Sequence, residues 1–92
     1  MKGKIVRDKI PLQVPGQYRK CTSDEEILYL ARKLVEEGIE FLISLDPVEL
    51  ADVYEVLYEI TKRINVDIGE LRKQKASEKG NMVNLWCTEE QP

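Results

Sequence analysis

The chain has 92 residues, with 14 Lys and Arg against 17 Asp and Glu, a net charge of −3 and an apolar fraction of 42%. That describes one small domain spanning 1–92, with enough apolar residue to fold and a modest core of the kind that often needs oligomerisation. Histidine is absent, which excludes Ser-His-Asp triads, imidazole bases and His-based zinc sites.

Residues 1–22 read as a non-helical basic arm. Ile10-Pro11 and Val14-Pro15-Gly16 interrupt any helix, and Lys4-Ile5-Val6 suits extended backbone. Residues 1–20 carry six basic residues against the single acid Asp8. Such an arm is ordered only by packing on something else. The opening Met1-Lys2-Gly3-Lys4 breaks its apolar residues too soon for a signal peptide, and no apolar run approaches the roughly 18 residues of a membrane span.

The first helix is predicted from Ser23 to about Leu45. Ser23-Asp24-Glu25-Glu26 matches a capping box, with Ser23 as the cap and Glu26 three residues on. At 100° per residue its apolar positions run from Leu30 and Phe41 through Ala31 and Leu42 to Val35 and Ile39. That arc is about 180° wide, whereas a one-sided surface helix needs ~100°. The excess implies burial against a second copy of the chain. Gly38 falls inside the arc and costs roughly 1 kcal/mol relative to Ala; it reads as a close approach of another helix or as a tolerated weakness.

The second helix is predicted from Asp46-Pro47 to about Ile64. Asp46 is the cap, Pro47 suits the first turn, and Glu49 completes the box. The connection to the first helix is nearly nil, so the two form an antiparallel hairpin or a sharp corner. Asp67-Ile68-Gly69-Glu70 caps a third, basic helix ending at Lys79, with Gly80 as its stop. Residues 81–92 form a loose, acidic tail in which Met82, Val83, Leu85 and Trp86 are candidates for packing.

Charge follows the same divisions. Residues 21–59 hold eleven acids against Arg32 and Lys33, and residues 60–80 hold six basic and three acidic residues. An acidic middle between basic flanks suits a metal-assisted phosphate site, and equally suits plain solvated helix faces. Nucleic acid is a poor partner for a chain with a pI near 5.0, one Trp and one Phe. Cys21 and Cys87 are two lone thiols, read as incidental in a reducing cytoplasm, with an intramolecular bridge left open.

Within the acidic middle, Glu36, Glu37 and Glu40 share one flank of the first helix by i, i+3 and i, i+4 steps. They repel unless a cation joins them, and Lys33 is placed to neutralise Glu37. On the second helix Glu49 falls between Val56 and Ile60 inside the apolar arc, and Asp52 follows one turn on. A half-buried carboxylate there needs a cation, hydrogen bonds or a raised pKa, although capping alone also accounts for Glu49. Two adjacent helices thus each present an i, i+3 carboxylate pair at the edge of an apolar face. Carboxylates without histidine suit Mg²⁺ or Mn²⁺ far better than zinc.

The order of these motifs is itself informative. Val6-Arg7-Asp8-Lys9-Ile10-Pro11, then Glu36-Glu37-Gly38-Ile39-Glu40, then Glu49-Leu50-Ala51-Asp52 resembles a group within the all-α, MazG-like nucleotide pyrophosphohydrolases, relatives of phosphoribosyl-ATP pyrophosphohydrolase. The resemblance implies an oligomeric helical bundle, a homodimer or homotetramer. It implies Mg²⁺ held by Glu37, Glu40, Glu49 and Asp52, and hydrolysis of a nucleoside triphosphate between its α and β phosphates. Glu36 and Glu37 would serve the catalytic step, Glu36 either supporting the ligands from behind or activating water. Arg72, Lys73 and Lys79 of the third helix are the candidate phosphate partners.

Three readings therefore stand open from the sequence. One is a Mg²⁺-dependent, cytoplasmic nucleotide pyrophosphohydrolase. Another is a non-catalytic oligomeric module that binds a nucleotide or a protein on the same scaffold. The last is a structural dimerising hairpin whose acids are solvent decoration.

Overall fold

The computed structural model describes residues 3–89, so Lys2 of the arm and Glu90 of the tail lie outside the described residues. The described residues form four helices and no strand: α1 (Ile10–Gln13), α2 (Ser23–Ser44), α3 (Pro47–Arg63) and α4 (Ile68–Lys79). The all-α expectation is met. No helix among the described residues is long and apolar enough to cross a membrane.

The helix termini follow from local chemistry, with three departures from the sequence reading. The arm is not wholly non-helical, because Pro11 lies in the first turn of α1, where a missing N–H costs nothing. The turn closes with Ile10 N–H donating to the Arg7 carbonyl at 3.0 Å and Val14 N–H to the Ile10 carbonyl at 2.8 Å. It stops at extended Val14, as the following Pro15 demands.

The cap of α2 is Thr22 rather than Ser23, and its partner is Glu25 rather than Glu26. The Glu25 carboxylate accepts the Thr22 N–H at 2.9 Å and is gripped by both terminal nitrogens of Arg19 at 2.8 Å. Glu26 is thereby left for Arg63, 3.2 Å away. The α2 C-terminus is closed by Leu45 in the left-handed region at φ 53°, with its N–H donated to the Phe41 carbonyl.

At the start of α3, Asp46 caps as expected, accepting the Val48 N–H at 3.0 Å. Its own N–H goes to Ser44 Oγ at 3.1 Å, so Ser44, not Glu49, completes that corner. Asp67 and Gly80 bound α4 as expected, with Gly80 at φ 84°.

Helices α2 and α3 pack as an antiparallel hairpin. The Glu26–Arg63 pair ties the beginning of one to the end of the other. Among the described residues only Leu30, Val56 and Glu37 are buried. The far half of the α2 arc is left uncovered among the described residues: Leu42 is 72% exposed and Val35 62%. A Cβ added to Gly38 meets nothing within 4 Å, so within one chain the expected close approach does not occur. Helix α4 has no buried residue, and Met82, Val83, Leu85 and Trp86 of the tail are exposed rather than packed.

The surface measures the same deficit. A chain of 10.7 kDa is expected to expose about 5,500 Å² when folded as a compact monomer, and this one exposes 8529 Å². Its radius of gyration is 16.5 Å, against about 12 Å for a compact domain of this length. Cys21 and Cys87 are free thiols, the first half-buried and the second exposed.

Candidate metal centre

The hairpin register decides which carboxylates meet. On α2, Glu36, Glu37 and Glu40 fall on the flank that turns toward α3, one turn below Lys33. On α3, Glu49 and Asp52 face back across the groove. With the Asp46 N–H already satisfied by Ser44, the Glu49 side chain is released from the cap and turns into the acidic cluster.

Two groups of three carboxylates result, Glu36/Glu37/Glu40 and Glu37/Glu49/Asp52, each offering oxygens within 4.8 Å of one another. They share Glu37. The four acids expected as ligands are therefore brought together as overlapping triads, with Glu40 in one and Glu49 and Asp52 in the other. Around one Mg²⁺ adjacent oxygens stand about 3 Å apart and opposite ones about 4.2 Å, so the carboxylates of each triad would have to draw together to enclose a small hard cation. These acidic clusters can hold a metal ion, and an all-carboxylate donor set selects hard cations over zinc or copper.

Glu37 is the centre of the arrangement. It is only 5% exposed, the one buried charged residue among those described. Oε1 pairs with Lys33 Nζ at 3.1 Å. Oε2 is buried and has no hydrogen-bond partner among the described residues. Such an oxygen costs about 1–3 kcal/mol of unrecovered desolvation, which a cation at that point would cancel.

The charges around it are arranged in pairs. Lys33 also reaches Glu36 at 3.2 Å, and Lys4 of the arm reaches the same oxygen at 3.4 Å. Burial opposes ionisation of Glu36, but the Lys33 and Lys4 ammonium groups outweigh it and hold the carboxyl below the ordinary range. Lys33 loses solvation too, yet Glu37 and Glu36 raise it above the usual lysine value. Glu40 has no such cation. The neighbouring Glu37 carboxylate, which favours the protonated form of Glu40 as a proton acceptor and by its charge, raises the Glu40 pKa.

Arg7 was not among the site residues read from the sequence, and the structure brings it in. Its guanidinium lies on Asp52, with Nη2 at 2.6 Å and Nε at 3.2 Å from Oδ1. Nothing in the sequence separates this partner from any other acid, because the two residues stand 45 positions apart. Together with Lys4, Lys33, Glu37 and Asp52, Arg7 lines a cavity of about 560 Å³ whose floor includes Leu30 and Val56. Arg72, Lys73 and Lys79, by contrast, sit exposed on α4 and do not line this cavity. Comparison with family models, with curated proteins and with solved structures gives no match to the chain.

Proposed function

We propose that this chain is a Mg²⁺-dependent nucleoside triphosphate pyrophosphohydrolase acting as a homo-oligomer, with Mn²⁺ as an alternative ion. One observation carries the reading: the buried, half-unpartnered Glu37 carboxylate at the junction of two acid triads on facing helices. A structural hairpin gains nothing from burying an acid whose second oxygen is unsatisfied. A bound divalent cation would supply Lewis-acid polarisation of a phosphoryl oxygen and lower the pKa of water.

The chain's own groups have distinct parts in this reading. Glu37, Glu49 and Asp52, with Glu40, hold the ion. Glu36, kept ionised by Lys33 and Lys4, is able to orient or deprotonate water at the edge of the cluster. Lys4, Arg7 and Lys33 border the adjoining cavity beside Glu37, Asp52, Glu55 and Glu59, and are the groups there that would meet phosphate oxygens. These three are better placed for that task than Arg72, Lys73 and Lys79. Self-association is supported by the uncovered apolar half of α2 and by the excess surface, since two buried apolar residues make a very small core.

The test is a pyrophosphate-release screen over nucleoside triphosphates with and without Mg²⁺, using wild type, Glu49→Ala and Asp52→Ala. Release that requires Mg²⁺ and is lost in both variants supports the reading. Metal and nucleotide binding without release would leave the non-catalytic module. No Mg²⁺ binding at millimolar concentration would leave the structural hairpin.

A further inference from the structure

The sequence motif around Arg7 has no part in the ligand set, yet its geometry gives it one. The arm crosses the hairpin exactly where the second acid triad lies, and it is held there by half-buried Ile5, Val6 and Ile10. The turn of α1 starts from the Arg7 carbonyl, which accepts the Ile10 N–H, so the one-turn helix fixes the backbone from which the guanidinium projects. Both donors of that guanidinium fall on the same oxygen of Asp52, Oδ1. The second oxygen, Oδ2, takes neither of them.

We infer that Arg7 is a positioning residue of the metal centre: by clamping Asp52 Oδ1 it aims Oδ2 at the cation, so the N-terminal arm is a working part of the site. The inference rests on the metal reading given above and goes beyond it in assigning the arm. A carboxylate ligand with one oxygen held by a fixed planar donor has fewer orientations to lose when a metal enters.

Charge balance allows it. Among the described residues the acids at the site (Glu36, Glu37, Glu40, Glu49 and Asp52, with Glu55 acting on Arg7) outnumber the cations Lys4, Arg7 and Lys33. Arg7 therefore has no electrostatic need to leave Asp52 when a divalent ion binds.

The opposing idea is that Arg7 merely occupies Asp52 and competes with the metal. The two differ in sign. Removing a positive charge beside a cation site strengthens cation binding by simple electrostatics, so a loss of affinity on removing Arg7 is evidence for aiming. Mn²⁺ binding to the full chain, followed by titration calorimetry and by the spin signal of the free ion, makes the measurement without any substrate. Wild type, Arg7→Gln, Arg7→Lys and Arg63→Gln are compared, with circular dichroism and melting of each as the folding control.

Arg7→Gln is expected to lose about tenfold or more in Mn²⁺ affinity, the usual effect of removing a group that orients a ligand. Arg7→Lys is expected to recover part of it. Arg63→Gln, which breaks the pairs with Glu26 and Glu59 elsewhere on the hairpin, is expected to bind as wild type does. Equal or tighter binding by Arg7→Gln overturns the inference while leaving the metal centre standing. An equal loss in Arg63→Gln overturns it as general destabilisation. Absence of Mn²⁺ binding in wild type removes the metal reading and this inference with it.

Discussion

Replacing Glu37 by Gln should make the metal-free protein more stable and the metal-dependent protein inactive. Gln keeps the shape of the side chain and removes its charge. The gain comes from Oε2, which is buried without a partner; such an orphaned acceptor costs about 1–3 kcal/mol. The amide nitrogen that replaces one oxygen is also a donor set among the remaining carboxylates. The loss is the i, i+4 pair with Lys33, whose side chains are only 16% and 6% exposed; it is worth about 1 kcal/mol, above the value of an exposed helix pair, and Lys33 keeps Glu36 at 3.2 Å.

The net is about 1 kcal/mol in favour of Glu37→Gln, or roughly 4–8 °C in midpoint for each kcal/mol in a chain of this size. Thermal unfolding followed by circular dichroism in EDTA reads it directly. Adding Mg²⁺ should then reverse the order. A site filled at a hundredfold excess over Kd stabilises wild type by about 2.7 kcal/mol, and the variant should gain almost nothing. A variant that melts below wild type in EDTA would refute the argument from the orphaned oxygen. A variant that gains as much from Mg²⁺ as wild type would refute the placement of Glu37 at the centre of the site.

The remaining predictions concern assembly, a turn and acid stability. Leu42→Glu should dissociate or unfold the oligomer by light scattering, whereas on a free surface it would change stability by only about 0.5 kcal/mol; a soluble wild-type monomer would contradict this. Leu45→Asn should raise stability by about 1 kcal/mol in urea unfolding, because Leu45 at φ 53° holds a left-handed conformation that costs a leucine about 1–2 kcal/mol. Glu25 is lowered from 4.5 to about 2, by Arg19 first and by the Thr22 N–H second. A depressed carboxyl stabilises fully above its unfolded value and loses that contribution as pH falls through the folded one. Glu25→Gln should therefore flatten the fall in urea midpoint between pH 4.5 and 2; an unchanged acid limb would show that the Arg19–Glu25 grip contributes nothing to folding.

Much of this was legible before any coordinates. The bounds of α3 and α4 followed from Asp46-Pro47 and Asp67…Gly80, because caps act through neighbours two or three residues away. The grouping of Glu36, Glu37 and Glu40, and of Glu49 with Asp52, followed from helical periodicity alone. Even the Lys33–Glu37 pair was a matter of spacing. The misplacement of the α2 cap by one residue came from two overlapping boxes in Thr22-Ser23-Asp24-Glu25-Glu26; the guanidinium of Arg19 selected Glu25, and Arg63 drew Glu26 away.

What the chain could not disclose locally were the meetings between segments. Whether Glu49 would cap α3 or face the cluster depended on Ser44 taking the Asp46 N–H across the corner. Whether Glu37 would be solvated or buried depended on where α3 and the arm settled over it. The role of Arg7 depended on an acid 45 positions away. Periodicity and capping are short-range and can be read along a helix; burial and the pairing of distant charges exist only once the hairpin has closed and the arm lies across it.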